Sequence, residues 1–210
     1  MSEAKRNFDT DAAQWDENPG RVKLTNAIAD KIIEKINPNN SQTVLDFGCG
    51  TGLLSLRIAP LVKHLTGLDS SQGMLDVLAK KAEALGHKNV DTLFLDISGT
   101  EVLDRKFDLI TSAMALHHVK ETVNLLRKFH DALNLGGHCA ITDLDTEDGS
   151  FHGDNSAGVF HKGFDRNELC SLFREAGFTE VKVDTAIVMR RLIADGSEKE
   201  FSIFLITATK

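Results

Sequence analysis

The sequence predicts an α/β protein whose doubly wound sheet is mostly parallel, with an antiparallel C-terminal strand. Short apolar segments alternate with longer segments in which apolar residues recur at helical spacing. Strands separated by helices form parallel βαβ units, and such a sheet needs helices on both faces. The last two apolar segments are joined through Asp195-Gly196-Ser197, a turn that favours an antiparallel finish.

Each predicted element begins and ends at a local signal. The predicted strands cover 43–47, 64–68, 90–95, 107–112, 138–142, 180–189 and 201–209. The predicted helices cover 21–36, 53–62, a segment from Ser70 or Ser71 to Leu85, 118–133, and a segment from Asp165 to Gly177. Asp165, with Glu168 three residues later, is typical of a helix start, and Gly177 is typical of a helix end. Gly136 and Gly137 are expected to end the helix that precedes the fifth strand.

Length and composition suit one domain. The chain has 210 residues, of which 41% are hydrophobic and 26% are charged, as in ordinary globular domains. We expect a single domain over 1–210, with an N-terminal helical segment over 1–40. Residues 144–164 break the alternation of strands and helices, which indicates a long lid-like insert.

Charge and cysteine usage argue against several classes of partner. A formal net charge of −7 disfavours nucleic acid and anionic membrane surfaces. The N-terminus lacks the apolar core of a secretory signal, and no apolar run is long enough to span a bilayer. The three cysteines have neither metal-ligand spacing nor even pairing. We therefore expect a cytoplasmic protein without a bound metal, and the sequence leaves its oligomeric state open.

A glycine-rich turn, VLDFGCGTG over 44–52, follows the first strand and precedes a helix. Glycines there let the backbone turn tightly and approach a ligand. Leu53 stands where the dinucleotide fingerprint has Gly or Ala, and the motif lacks the lysine of a phosphate-binding P-loop. Asp46, two residues before Gly48, would repel a pyrophosphate but suits a ligand with an ammonium and a sulfonium. The turn therefore favours S-adenosylmethionine (SAM) over a dinucleotide.

Two more carboxylates follow the next two strands. Asp69 ends the second strand, where its carboxylate can accept hydrogen bonds from both ribose hydroxyls. Asp96 follows the third strand and can accept a hydrogen bond from the exocyclic amine of adenine, with Ile97 packed on the ring. These positions indicate a nucleoside ligand, and they serve NAD and SAM equally well.

Five motifs carry a family resemblance: VLDFGCGTG, GLDSS, LFLDIS, FDLITSAMALHHV and LNLGGHCAITDLD. They resemble the successive motifs of class I SAM-dependent methyltransferases, which have a Rossmann-like fold, and are most similar to the ubiquinone/menaquinone-biosynthesis group. The resemblance implies SAM as cofactor, S-adenosylhomocysteine as product and a small-molecule acceptor. The positions that it implies around the cofactor are Trp15, Asp46, Gly48, Gly50, Asp69, Ser70, Asp96, Ile97, Ala113 and Ala115.

The acceptor side of the site is marked less specifically. His117 and His118 follow the fourth strand, at the crevice expected where the strand order reverses between strands one and four. Either is a candidate catalytic base, and the alternative is that they cap the next helix. In the insert, His152, Phe160 and His161 are candidates for substrate contact, with an incidental place in an exposed loop as the alternative.

Carboxylates after the fifth strand do not indicate a metal site. They are Asp143, Asp145, Glu147 and Asp148. The end of strand four, TSAM over 111–114, holds no carboxylate to complete the magnesium set of catechol-type methyltransferases. We therefore expect these side chains to be loop charge.

Two other functions stay open on the sequence. One is a SAM-binding sensor or partner subunit without catalysis, and the other is a nicotinamide-dependent oxidoreductase. The acceptor atom is not indicated, because a quinone, a phenol, an amine, a thiol or a carboxylate would each fit an unspecified pocket.

Overall fold

The computed structural model describes residues 7–96, 101–153 and 156–210. The strands are β1 (Thr43–Phe47), β2 (His64–Asp69), β3 (Val90–Phe94), β4 (Phe107–Ala113), β5 (Leu133–Leu144), β6 (Thr179–Leu192) and β7 (Glu198–Thr209). The α-helices are α1 (Phe8–Asp11), α2 (Pro19–Ile36), α3 (Ser55–Ile58), α4 (Gln72–Ala84), α5 (Thr122–Ala132) and α6 (Arg166–Glu175). Single 3-10 turns cover Ala12–Glu17, Ala59–Leu61 and Leu116–His118.

The seven strands form a sheet in the order β3-β2-β1-β4-β5-β7-β6. Parallel pairing joins β1 to β2 and β4, β2 to β3, and β4 to β5. Only the pairings of β7, with β5 and with β6, are antiparallel among the described strands. The predicted fold class is confirmed. The order reverses between β1 and β4, and a crevice opens beyond the carboxyl ends of such neighbouring strands.

Alternate side chains of the central strands face opposite helix layers, as the pleat of a strand requires. Val44 packs in a core with α2 and α3, whereas Leu45 packs in a core with α5 and α6. Along α2, Leu24, Ile28 and Ile32 are buried at intervals of four residues, which places them on one face. The sheet is therefore covered on both faces, as its parallel strands demand.

Polar side chains fix where the helices begin. Asn18 Oδ1 accepts a hydrogen bond from the Arg21 N–H at 3.1 Å, directly before Pro19 at the first position of α2. Ser71 caps α4, so of the two serines proposed for that place it is the second that serves. Asp165 caps α6 as predicted, accepting from the N–H groups of residues 167 and 168 at 2.8 and 3.0 Å.

Two predicted boundaries around α5 are wrong. The chain after β4 first forms the 3-10 turn Leu116–His118, and α5 begins only at Thr122. β5 begins at Leu133, so Gly136 and Gly137 lie inside the strand rather than at the end of a helix. The pairing with β4 jumps from Leu133 to His138 across these glycines, and Gly136 has φ +75°. The glycines therefore mark an irregularity in the strand, which their freedom at positive φ permits.

The described part of the insert at 144–164 consists of turns and bends, with a single bridge between Asp145 and Phe164. Its residues 154 and 155 lie outside the described part. Phe151 is buried against Phe201 of β7, with ring centroids 5.2 Å apart, so the insert is packed on the sheet. Across the described ranges, we find no helix with the length and apolar character needed to cross a membrane.

Candidate functional site

A cavity of about 1230 Å³ lies beyond the carboxyl ends of β1, β2 and β4. Of the predicted cofactor positions, it is lined by Trp15, Asp46, Gly48, Gly50, Asp69, Ser70, Asp96, Ala113 and Ala115. Of the predicted acceptor-side positions, it is lined by His117, His118, His152 and Phe160. Ile97 lies outside the described residues. The structure thus brings together two sets of positions that are far apart in sequence, and their individual roles stay predictions.

The glycine turn lies against its neighbours without space for side chains at two positions. Gly48 has φ +64°, and a Cβ there would lie 2.4 Å from the Ala115 Cβ at the end of β4. Gly52 has φ +81°, and a Cβ there would lie 2.2 Å from Leu78 Cδ1 of α4. Both positions require glycine for conformation and for space. The turn is therefore fixed between β4 and α4, with bare backbone facing the cavity.

Asp46 is 1% exposed at the end of β1 and makes two hydrogen bonds. Its Oδ2 accepts from Ser55 Oγ at 2.5 Å, and its Oδ1 accepts from Thr111 Oγ1 at 3.0 Å. Burial raises the pKa of Asp46 to about 6, although the two hydroxyl hydrogen bonds act in the opposite direction. A buried carboxylate without a cationic partner is costly, so a cation that enters the cavity would stabilise its charged form.

Asp69 ends β2 and supports the glycine turn. Its Oδ2 accepts from the Gly50 N–H and its Oδ1 from the Ser71 N–H, both at 2.9 Å. Burial raises the pKa of Asp69 despite these backbone hydrogen bonds. Each carboxylate oxygen can accept a further hydrogen bond, because it has a second lone pair. Asp69 can therefore hold the turn and receive ribose hydroxyls at the same time.

The N-terminal flap, defined here as residues 8–17, closes one side of the cavity. Trp15 lies under the Arg21 guanidinium, whose carbon is 3.7 Å from the ring centroid. Arg21 Nη1 also donates to the Trp15 carbonyl at 2.5 Å. Phe8 meets the Trp15 ring edge-on, with centroids 5.8 Å apart, and meets the His118 ring at 5.5 Å. The flap therefore reaches from the cofactor side of the cavity to the acceptor side.

Two aspartates hold the flap on the domain, and sequence reasoning missed both. Asp9 Oδ1 accepts from Ser71 Oγ at 2.6 Å and from the Gly73 N–H at 2.7 Å, at the start of α4. The hydrogen bond from Ser71 lowers the pKa of Asp9. Asp16 accepts from Thr51 Oγ1 and from Lys81 Nζ, each at 2.6 Å. These partners lie 35 to 65 residues along the chain from the aspartates, so no local pattern announces them.

On the acceptor side, His117 forms a buried pair with Asp143. His117 is 2% exposed and Asp143 is 0% exposed. The distance between His117 Nδ1 and Asp143 Oδ1 is 2.8 Å, and the His117 backbone N–H donates to Asp143 Oδ2 at 3.1 Å. The expectation that Asp143 is loop charge is wrong, because β5 extends to Leu144 and carries this side chain into the core.

Two further histidines surround this pair. The His118 and His152 rings lie 4.2 and 4.8 Å from the His117 ring, between centroids. His118 Nδ1 is 2.7 Å from the Gly158 carbonyl oxygen, so it donates to the insert. Burial, followed by the two neighbouring histidines, lowers the pKa of His152 to about 4. Among the described residues, no three His, Cys, Asp or Glu side chains are grouped as a metal ion would require.

The remaining insert positions differ in placement. Phe160 is 42% exposed and lines the cavity, and its ring centroid lies 6.0 Å from Lys120 Nζ. His161 is not among the cavity-lining residues, and its Nε2 lies 2.9 Å from the Val119 carbonyl oxygen. Its predicted contact with the acceptor stays a prediction. Arg190 and Arg191 line the cavity on the side of β6. The sequence did not indicate this, because a pair of basic residues is usually exposed to solvent.

These features define a class of site: a pocket at the strand switch point, with bare glycine backbone, one buried carboxylate and one partly buried carboxylate. SAM fits it, because SAM carries a ribose together with an ammonium and a sulfonium that the carboxylates of Asp46 and Asp69 can stabilise. A pyrophosphate would meet the same two carboxylates unfavourably. The pocket therefore suits a nucleoside cofactor with positive charge.

Comparison with known proteins agrees with this class. Residues 44–137 match the family model described as a methyltransferase domain. An uncharacterized methyltransferase of Schizosaccharomyces pombe is 32% identical over 158 residues, covering 69% of this chain and 56% of that protein. Phosphoethanolamine N-methyltransferase 1 of Arabidopsis thaliana is 27% identical over 188 residues, covering 86% of this chain and 38% of that protein. The chain therefore spans about half the length, or less, of these curated relatives.

A solved structure shows the same fold. The SAM-dependent methyltransferase from Aquifex aeolicus superimposes with a TM-score of 0.68 at 19% sequence identity, covering 95% of this chain and 97% of that one. On these findings, residues 44–137 carry a methyltransferase domain, the fold is that of a SAM-dependent methyltransferase, and SAM is the cofactor that the family and the pocket together indicate. The nicotinamide cofactor that the sequence left open is thereby set aside.

Proposed function

We propose that this protein transfers the methyl group of SAM to a small-molecule acceptor by in-line displacement. The observation that carries the proposal is that one cavity joins both halves of such a site. The glycine turn, Asp46 and Asp69 line one part, while His117, His152 and the insert line the other. Its volume of about 1230 Å³ exceeds the roughly 300–1,000 Å³ of a typical single-ligand pocket. A cofactor and a small acceptor can therefore occupy it together.

When bound, SAM supplies a methyl group that its sulfonium already activates, so the protein's main tasks are alignment and exclusion of water. In this proposal Asp69 holds the ribose, and Asp46 lies beside the positively charged part of the cofactor. The N-terminal flap covers the cofactor side through Trp15. The insert covers the acceptor side through Phe151 and Phe160.

Two observations support a small acceptor rather than a macromolecule. The flap and the insert both border the cavity, which restricts access for a folded partner. The named activity of the Arabidopsis relative is methylation of phosphoethanolamine, a small molecule.

The basic side chains of Lys120 and Arg191 at the cavity suit an acceptor that carries an acidic group. A quinone-type acceptor, as the motif resemblance implies, remains inside the same proposal.

The test is transfer of isotope from methyl-labelled SAM into a deproteinised cell extract, separated by size after incubation with the purified protein. We expect labelled product in the low-mass fraction, and less of it with an Asp69→Ala variant at a limiting concentration of SAM. Label that enters only protein or nucleic acid, when these are supplied, would contradict a small acceptor. SAM binding without transfer to any fraction would favour a SAM-binding sensor or partner subunit.

A further inference from the structure

The pair formed by His117 and Asp143 determines which nitrogen of the imidazole carries the proton. Asp143 accepts from the His117 N–H and, at 2.7 Å, from the Leu144 N–H, in addition to its 2.8 Å contact with His117 Nδ1. Burial alone would raise the pKa of Asp143, but the His117 ring and these hydrogen bonds together lower it. An ionised carboxylate only accepts hydrogen bonds, so His117 Nδ1 must donate. In the neutral ring, Nε2 then carries a lone pair.

His117 Nε2 is buried, and among the described residues it has no hydrogen-bond partner. The side chain lines the cavity, so this lone pair belongs to the acceptor part of the site. A buried polar atom in a native structure is normally paired, so an unpaired one at a ligand cavity is a candidate to bind the ligand. The group that pairs with this lone pair must donate a hydrogen bond.

Other titratable and charged groups lie around the His117 ring. His118, on the same 3-10 turn, donates through Nδ1 to the insert, and its ring lies 4.2 Å from that of His117. His152 from the insert is uncharged near neutral pH, since its pKa is lowered to about 4 by burial and by the nearby histidines. Arg191 of β6 adds positive charge beside His152. Asp143, on β5, is the negative group whose contact with the ring the structure describes.

We propose that His117 is the catalytic base of the methyl transfer, with Asp143 as its positioning residue, and that the acceptor presents a hydroxyl group or, in the case of an amine, an ammonium group. This inference rests on the proposed function and names the acceptor class for the same cavity. A carboxylate acceptor is already ionised at neutral pH and would bring no proton for Nε2 to receive.

The step balances without any further reactant. The acceptor's O–H or N–H bond breaks, and its proton passes to His117 Nε2. The released electron pair of the acceptor atom forms a bond to the methyl carbon. The bond between that carbon and sulfur breaks, and its electron pair remains on sulfur. The imidazolium that results is stabilised by the Asp143 carboxylate until its proton passes to solvent.

The decisive variant is His117→Asn. Asparagine places an N–H donor near the position of Nδ1, so the contact with Asp143 is kept while Nε2 is removed. General-base catalysis contributes about 10²–10⁴-fold, and we expect kcat to fall by about that factor with SAM affinity unchanged within about twofold. In a pH–rate profile, the wild-type kcat should fall at acidic pH, because an imidazolium cannot accept a proton. This fall should be absent in the variant. His64→Gln, at the opposite edge of the sheet, is the matched histidine control.

The acceptor class is tested with labelled SAM and a panel that contains a phenol, a primary amine and a carboxylate. We expect turnover only of the phenol or the amine, and equal turnover by wild type and His117→Asn would overturn the proposal. Imidazole nitrogen NMR gives a readout that needs no acceptor. It should show the His117 proton on Nδ1, and a neutral ring with its proton on Nε2 in the free protein would also overturn it.

These results are separable from a failure of the proposed function. Absence of SAM binding in the wild-type protein would contradict the proposed function, and with it the assignment of His117 as a base, whatever the position of the His117 proton. Intact SAM binding, with the His117 proton on Nδ1 and full activity of the asparagine variant, would contradict only the assignment of His117 as the base. Asp143→Asn gives a further check, because it should lower kcat and shift the proton from Nδ1 to Nε2 while SAM affinity stays the same.

Discussion

Replacing Asp46 by Asn should stabilise the cofactor-free protein near neutral pH while weakening its binding of SAM. Asn has nearly the shape of Asp, and the hydroxyls of Ser55 and Thr111 that bond the carboxylate can rotate to bond an amide. What the substitution removes is a buried charge. Asp46 therefore represents a position where the demands of ligand binding and of stability are opposed.

The size of the effect follows from the pKa. Burial raises the pKa of Asp46 from 3.8 to about 6, and one pKa unit corresponds to about 1.4 kcal/mol. A carboxyl group whose pKa is raised by folding stabilises the protein when protonated, and this contribution is lost as pH rises from about 4 to about 6. Relative to the Asn variant, the wild type should therefore lose about 2–3 kcal/mol of unfolding free energy between pH 4 and pH 7.

Urea denaturation of both proteins without cofactor, at pH intervals from 4 to 7, measures this difference directly. Asp131→Asn is the matched control, because Asp131 is 85% exposed and the same chemical change there should leave the pH dependence unaltered. If the wild-type and Asp46→Asn stabilities stay parallel within about 0.5 kcal/mol over this range, burial does not neutralise Asp46 and the reasoning is refuted. The expected loss of SAM affinity is measured separately by calorimetry.

Three further predictions concern cofactor binding. Asp69→Ala should weaken SAM binding by about 1–3 kcal/mol, because charged hydrogen bonds to ribose are lost; calorimetry showing unchanged affinity would refute the assignment. Gly48→Ala should abolish measurable SAM binding, since its Cβ would lie 2.4 Å from the Ala115 Cβ, whereas Gly136→Ala, where the space is open, should retain it in the same titration. Asp16→Ala should free the N-terminal flap and weaken SAM binding by about 1–2 kcal/mol. Fluorescence of Trp15, the only tryptophan in the chain, follows this flap directly, and an unchanged response to SAM would show that the flap does not depend on Asp16.

The cofactor half of the site was predictable because its signals are local. The first strand was predicted at 43–47, where the structure has it, and the glycines that follow it have positive φ. Asp69 comes at the end of β2, as predicted from the apolar run before it. In each case one short segment contains both the element and the side chain that we predict to bind the cofactor. Pattern and spacing are then sufficient.

The acceptor half was predicted only in outline because its contacts are distant in sequence. His117 and Asp143 are 26 residues apart, and they meet only because β4 and β5 are neighbours in the sheet. Asp143 stands next to other acidic residues, so its sequence context resembles a solvated loop. Lys81 illustrates the same limit: a pair of lysines on a helix suggests exposed charge, yet its Nζ donates to Asp16 and to the Thr51 carbonyl.

The most direct measurement of the central claim is calorimetric titration of the purified protein with SAM, S-adenosylhomocysteine and NAD in parallel. Our account predicts saturable binding of one SAM per chain, competed by S-adenosylhomocysteine and weakened in Asp69→Ala, with no heat of binding for NAD. Saturable binding of NAD without any binding of SAM would contradict it.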